Sequence, residues 1–362
     1  MKYKLSEIGK VVGGGTPSTK HSEYYTDSGI PWLTPKDLSG YDKMYISKGG
    51  RDITQEGLEN SSAKLLPANS ILVSSRAPIG YVAIAKNEVA TNQGFKSIIP
   101  NRELVIPEYL YFVMQTSKQD LEQIASGSTF KEVSTKVMSN FEVEIPSLDE
   151  QNKVLDYLLP ITRKIEKNSR INANLTKLRN LQYRQLMNSN TVRKVKITEL
   201  FNIFYGKSLP KSKLINSGIQ VFGANGLMGY TSEPSIIEKP TVTITSRGSG
   251  SGYVSYLDVG KAFLTNNLLY LDDKNNLGLS FAFEAIKASN PNQFVTGSAQ
   301  PQLTIKNLSR LDITAPVDRD VIDEFRKEMH PIESTMRNNN LENYELKKLK
   351  DTLLCKYFKQ LN

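Results

Sequence analysis

The chain has 362 residues, 39% hydrophobic and 23% charged, which suits two or three soluble domains and excludes wholesale disorder. Two histidines (His21, His330) and one cysteine (Cys355) are too few for a Cys/His zinc site or an internal disulfide, so no metal and a reducing cytoplasm are expected. The net charge of +9 suits a polyanion such as DNA, although residues 1–146 are neutral with 16 basic and 16 acidic side chains. The excess lies in residues 147–190, with 8 basic and 4 acidic, and in 191–316, with 13 and 8; residues 317–362 balance at 9 and 9.

The N-terminus, MKYKLSEIGK, lacks the apolar stretch of a signal peptide, and no apolar run approaches the roughly 18–20 residues that span a bilayer. From there the sequence repeats itself in order. Leu5-Ser6-Glu7-Ile8 is echoed by Ile197-Thr198-Glu199-Leu200, and Gly14 by Gly206. SGIPWL at 28–33 resembles SGIQVF at 217–222, and VSSRAPIGYV at 73–82 resembles ITSRGSGSGYV at 244–254. Gly127-Ser128 matches Gly297-Ser298, and FEVEIP at 141–146 matches LDITAP at 311–316. The stretch from about 37 to 70 has no clear counterpart, which suggests one scaffold carrying two different binding surfaces.

Within each half, short β-branched and aromatic runs between Gly, Pro and Asn turns read as strands: ILVSS and YVAIA, then TVTITS and YVSYL. A helical stretch follows near 107–125 and again near 278–288, and a last strand reaches Pro146 or Pro316. Ser147-Leu-Asp-Glu150 then has the form of a helix capping box. Residues 149–188 and 318–360 are rich in helix formers, with Pro160 and Pro331 at matching places. Each reads as a short helix followed by a long one that starts at the proline and runs roughly 28–30 residues, or ~42–45 Å. The long helices carry coiled-coil spacing at Ile161, Ile165, Asn168, Asn172, Leu175 and Leu178, and 171 residues later at Ile332, Met336, Asn339, Asn343, Leu346 and Leu349, with Leu353 beyond. Two asparagines at equivalent places in each seam would fix register, because a slipped pairing leaves an amide unsatisfied.

A strand-rich domain, a long helix, a second such domain and a second long helix resemble the specificity subunit of type I restriction–modification enzymes. The wording also resembles that family: Gly-Thr-Pro at 15–17, GIPWLTPKDL at 29–38, SRAPIG at 75–80 and IPSLDEQNKV at 145–154, then SRGSGSG at 246–252 and GSAQPQLT at 297–304. The likeness covers essentially the whole chain; VDRDVIDEF after Pro316 departs from it, lacking the Glu-Gln pair of the first half.

The resemblance implies an α+β protein with a pseudo-twofold internal repeat. Two similar α/β recognition domains (1–148 and 190–317) would alternate with helical spacers (149–189 and 318–362), whose long helices form an antiparallel coiled coil. Each domain would read one half of a bipartite DNA target, and the helices would set the spacer and dock modification subunits. The chain itself would be non-catalytic and hold no cofactor. The modification subunits, two of them, would methylate adenine with S-adenosylmethionine, and restriction subunits would cut DNA with ATP and Mg.

Individual residues sort by whether the two halves agree. Arg76 and Arg247 recur at strand ends before Gly-rich loops, which favours a scaffold or phosphate role, since domains that read different sequences should differ at base contacts. Base-reading candidates lie where the halves diverge: Lys36, Asp37, Lys43, Lys48 and Arg51 in the first, and Asn225, with Lys207, Lys211 and Lys213 nearby, in the second. Thr129, Lys131, Gln300 and Gln302 add candidates on exposed loops. GSGSG at 248–252 lacks the Gly-Lys-Ser/Thr of a phosphate-cradling loop and reads as a hairpin turn. SNPNQ at 289–293 lacks the second proline and aromatic that an adenine methyltransferase needs, and no nuclease or nucleophile-elbow motif is present, which argues against a fused enzyme. A bivalent coiled-coil scaffold for proteins is the alternative, mildly favoured by the neutral first domain.

Overall fold

The structure, a computed structural model, describes residues 1–127 and 131–358. The chain divides into two compact units, one of residues 1–167 with the last helix from Glu342 onward, the other of residues 168–341.

In the first unit a five-stranded sheet runs in the order Gly9–Gly13, Lys96–Pro100, Ile71–Ser75, Ile79–Ala85 and Tyr45–Ile46. Ile71–Ser75 is buried along its length because both faces of the sheet are covered. Ile71 and Val73 face Leu110 and Phe112 of the helix Pro107–Thr116, whereas Leu72 joins Leu33, Leu38 and Phe95 on the other side. A second sheet holds Tyr25–Thr26, Arg51–Ile53, Ile30–Leu33 and Ala90–Thr91. Lys2–Lys4 pairs with Glu142–Glu144, so the domain closes start against end.

The second unit repeats the plan. Asn202–Tyr205, Leu268–Asp272, Thr241–Thr245 and Val254–Leu257 keep the same strand order without the fifth strand. Val242 and Ile244 pack with Phe281 and Ile286 of the helix Leu279–Ala288. A smaller sheet joins Gly226–Thr231, Ile219–Gly223 and Ala262–Leu264, and Val192–Lys196 closes against Asp312–Pro316. In both units the strand that begins the second sheet's core pairs parallel with a later one, Trp32 beside Ala90 and Val221 beside Phe263. The stretch without a counterpart supplies Tyr45–Ile46, Arg51–Ile53 and the helix Gln55–Glu59 of the first unit.

The prolines do not start the long helices. Leu148–Ser189 and Arg319–Phe358 are each continuous, with Pro160 and Pro331 inside them, giving about 63 Å and 60 Å of helix. An interior proline costs about 3 kcal/mol, but here it sits on the exposed face, where the orphaned carbonyl one turn back can meet water. The opposite face stays buried on both sides of it: Leu155 and Leu158 before Pro160, Thr162 and Ile165 after; Phe325 and Met329 before Pro331, Met336 after. Tertiary packing overrides the local break. Ser147 and Glu150 form the expected capping box, Ser147 donating from N–H and hydroxyl to the Glu150 carboxylate at 3.0 and 2.8 Å. These bonds hold the Glu150 carboxyl below its ordinary value.

Within each unit the two helix segments pack antiparallel. In the first, Lys164 pairs with Glu342 and Tyr157 stacks on Tyr357; in the second, Asn172 meets Asn339 and Asn340. Asn172 Nδ2 donates to the Met336 carbonyl and the Asn340 Oδ1, and Asn339 Nδ2 donates to the Asn172 Oδ1 at 2.8 Å. In the first unit Asn343 is buried and its amide faces the Ile165 carbonyl.

Two seam positions are corrected. Leu178 and Leu349 are 42% and 49% exposed. A strict 3.5-residue step drifts around a 3.6-residue helix, so beyond Leu175 and Leu346 the inward position moves on by one. It falls on Arg179 and Lys350, then on Tyr183 and Leu354.

Candidate nucleic-acid interface

In the first unit Arg76 follows the central strand Ile71–Ser75, and Val133 N–H donates to the Ser75 carbonyl, bringing Glu132 and Val133 alongside. Glu132, held by reciprocal backbone bonds to Ser126, thereby faces two cations. Lys96 is buried, and its ammonium donates to Glu132 Oε1 at 3.0 Å, the Gln93 carbonyl at 3.2 Å and Ser75 Oγ at 3.4 Å. Arg76 reaches Glu132 Oε2 at 3.5 Å. A buried ammonium without a counterion is costly, so Glu132 is needed for Lys96 and draws in Arg76 as well. Lys131 is exposed beside this cluster; Thr129 lies outside the described residues.

The unduplicated stretch presents its cations differently. Lys36 and Lys43 are exposed and have no charged partner among the described residues. Lys48 donates to the Asp27 carbonyl at 3.0 Å and lies 3.4 Å from the buried Asp52. The Arg51 guanidinium stacks over the Tyr25 ring at 3.7 Å. Asp37 organises the loop, accepting from Thr34 N–H and hydroxyl at 2.7 Å and from Gly50 N–H at 2.8 Å. It faces its own backbone.

In the second unit Arg247 occupies the place of Arg76. Leu303 N–H donates to the Ser246 carbonyl, and Arg247 and Gln302 form a β-bridge. Ser251 Oγ donates to the Gly248 and Pro301 carbonyls at 2.8 Å, tying the glycine loop to the 300s segment. Gly248 and Gly252 take φ of +98° and +86°, which a side chain would resist. Arg247 is exposed and Tyr253, at the loop's end, is 65% exposed. Gln300 is exposed and Gln302 half-buried. Lys207 and Lys211 are exposed, whereas Lys213 pairs with Glu233 at 2.6 Å. Asn225 caps the hairpin between Ile219–Gly223 and Gly226–Thr231, with Leu227 and Met228 exposed beside it.

Sequence reasoning missed the Lys96–Glu132 pair, the exposed Tyr253 and the apolar hairpin tip. A lysine at the head of the apolar strand KSIIP and a tyrosine after a glycine run were the available signals. No cluster of three or more His, Cys, Asp or Glu poised for a metal occurs among the described residues, and none of their helices is long and apolar enough to cross a membrane. What the exposed side chains offer is donors and positive charge, the chemistry of phosphate and base-edge binding.

Comparison with known proteins is consistent across the chain. The profile of the type I restriction modification DNA specificity domain matches twice, over residues 1–177 and 189–348. The MjaIX specificity subunit of Methanocaldococcus jannaschii is 45% identical over 177 residues, 48% of this chain and 40% of that protein. The EcoR124I/EcoR124II specificity subunit of Escherichia coli is 31% identical over 160 residues, 42% of this chain and 39% of that one. The chain therefore spans about two-fifths of the length of these relatives in the matched regions. The EcoprrI specificity subunit of Escherichia coli is 24% identical over 340 residues, 86% of this chain and 82% of that protein. A crystal structure of the S subunit from M. genitalium shares the fold, with a TM-score of 0.67 at 17% identity over 100% of this chain and 96% of that one.

Proposed function

The chain belongs to the type I restriction modification DNA specificity family, and from that membership and its duplicated architecture we propose that it is the DNA-reading subunit of a type I restriction–modification complex. Each recognition domain, 1–148 and 190–317, reads one half of a bipartite duplex target. The segments 149–189 and 318–362 set the spacer between half-sites and dock two modification subunits, with restriction subunits joining the full assembly. S-adenosylmethionine, ATP and Mg belong to those partners, and the complex works in the cytoplasm.

The observation that carries this reading is a scaffold built twice whose exposed polar side chains differ. Shared strands and helices keep the two readers alike in shape. Lys36, Lys43, Lys48, Arg51 and Lys131 on the first, against Lys207, Lys211, Lys213, Asn225 and Gln300 on the second, make them unlike in what they read. Two linked weak readers gain avidity only when the half-site spacing fits, so spacing becomes part of specificity.

Sequencing adenine methylation in cells with and without the chain tests the reading. Its removal is expected to abolish one two-part motif with an indifferent spacer. Loss of a continuous motif, or of none, refutes the proposal and leaves the protein-binding scaffold. Binding to duplex DNA should weaken as salt rises, because phosphate contacts release counterions.

A further inference from the structure

The two arginines that the repeat places together stand in opposite electrostatic settings. Backbone bonds fix the correspondence: Val133 to Ser75 and Leu303 to Ser246, and the reciprocal pairs Ser126–Glu132 and Thr296–Gln302. Glu132 and Gln302 are thus equivalent positions. Lys96 and Leu269 are equivalent too, since Gly14 donates to Phe95 and Gly206 to Leu268, each one residue earlier. The first unit buries a lysine and supplies a carboxylate for it, which also holds Arg76. The second buries a leucine, needs no carboxylate, and has an amide there instead. Arg247 is left exposed, with no acceptor among the described residues, on a glycine loop braced by Ser251 and ending at the exposed Tyr253.

We propose that Arg247 is a backbone-phosphate contact of the second recognition domain, and that the Glu132-to-Gln302 exchange between the repeats is what makes it available. This rests on the DNA-reading function and names the chemistry of one of its contacts. A guanidinium with five donors, raised at a glycine loop and with no acceptor among the described residues, fits a phosphate oxygen pair. Arg76 has its charge shared with Glu132 and serves as a brace.

The test measures affinity of the full chain for duplexes of mixed sequence by fluorescence anisotropy across a range of KCl. R247A is expected to weaken binding about tenfold at low salt, as for loss of a charge-assisted bond. It should also make the salt slope shallower by about 0.9, the share of one phosphate. Q302E keeps the arginine but supplies the missing carboxylate, and should give a similar loss. R76A should change affinity by less than about twofold, because its partner already holds it. Unchanged melting temperature of R247A, expected for an exposed unpaired side chain, separates the effect from misfolding. Full binding by R247A and Q302E overturns the assignment, as does equal weakening by R76A. A loss confined to one duplex sequence would place Arg247 on a base instead, and also overturns it. Absence of wild-type binding to any duplex at low salt refutes the DNA-reading function itself.

Discussion

The two units share a backbone plan but fasten it to the long helices by different chemistry. In the first, Gln151 is fully buried, accepts from Ile106 N–H and donates to the Leu104 and Pro146 carbonyls, while Glu166 accepts from Met44 N–H. The last helix adds Leu353, Leu354 and Phe358 to the apolar core. In the second, the position of Gln151 is taken by the buried Ile322, and Arg319 and Arg326 grip the carbonyls of Asn275 and Asn276 instead. Arg337, the counterpart of Glu166, pairs with the buried Asp258 at 2.8 Å. Arg179 pairs with Glu284 at 2.9 Å, both almost fully buried, and lies between the Tyr256 and Phe283 rings. The repeat dictates that a helix docks at these points. Which side chain does the docking depends on what the facing loop leaves unsatisfied.

Breaking the ionic anchor should have the largest effect. E284A strands the Arg179 guanidinium in a nearly dry site and is expected to cost about 3–5 kcal/mol, read as a lowered denaturation midpoint with early hydrogen exchange in Leu279–Ala288. Breaking the amide anchor of the first unit should be milder. Q151A leaves the Ile106 N–H and two carbonyls without partners, a loss of about 1–3 kcal/mol by the same measurement. Equal losses would erase the contrast between the units.

The smallest effect concerns Lys350, the repeat partner of Arg179. No ion pair holds it among the described residues, and it borders a cavity of about 330 Å³ lined also by Tyr41, Tyr81, Tyr111 and Thr162. Burial pushes its ammonium below the ordinary lysine value. A cation held below its unfolded value opposes folding at neutral pH, and the opposition fades as pH rises toward the lysine range. K350M should therefore raise the melting temperature slightly at neutral pH, and the gain should shrink in alkaline buffer. A gain that stays constant with pH would mean that packing, not charge, is responsible.

Particular elements show how far the chain could be read in advance. The strands ILVSS and TVTIT, the helices near 107 and 279 and the Ser147–Glu150 cap are all legible, because each depends on period, turn residues or a three-residue spacing. The seam is legible through Ile165, Asn172 and Met336 and fails at Leu178 and Leu349, where small angular drift has accumulated. Pro160 misleads because the cost of an interior proline is local and the burial that offsets it is not.

By itself, then, the sequence determined that one scaffold is built twice and joined by long helices, since repeated order and periodicity are properties of neighbours along the chain. Only the tertiary structure decided that Glu132 meets Lys96 and Arg76 while Arg247, beside Gln302, stays exposed, and that Glu284 meets Arg179. These partners lie 36 to 105 residues apart, and at that separation charge pairing is set by which backbones the fold brings together.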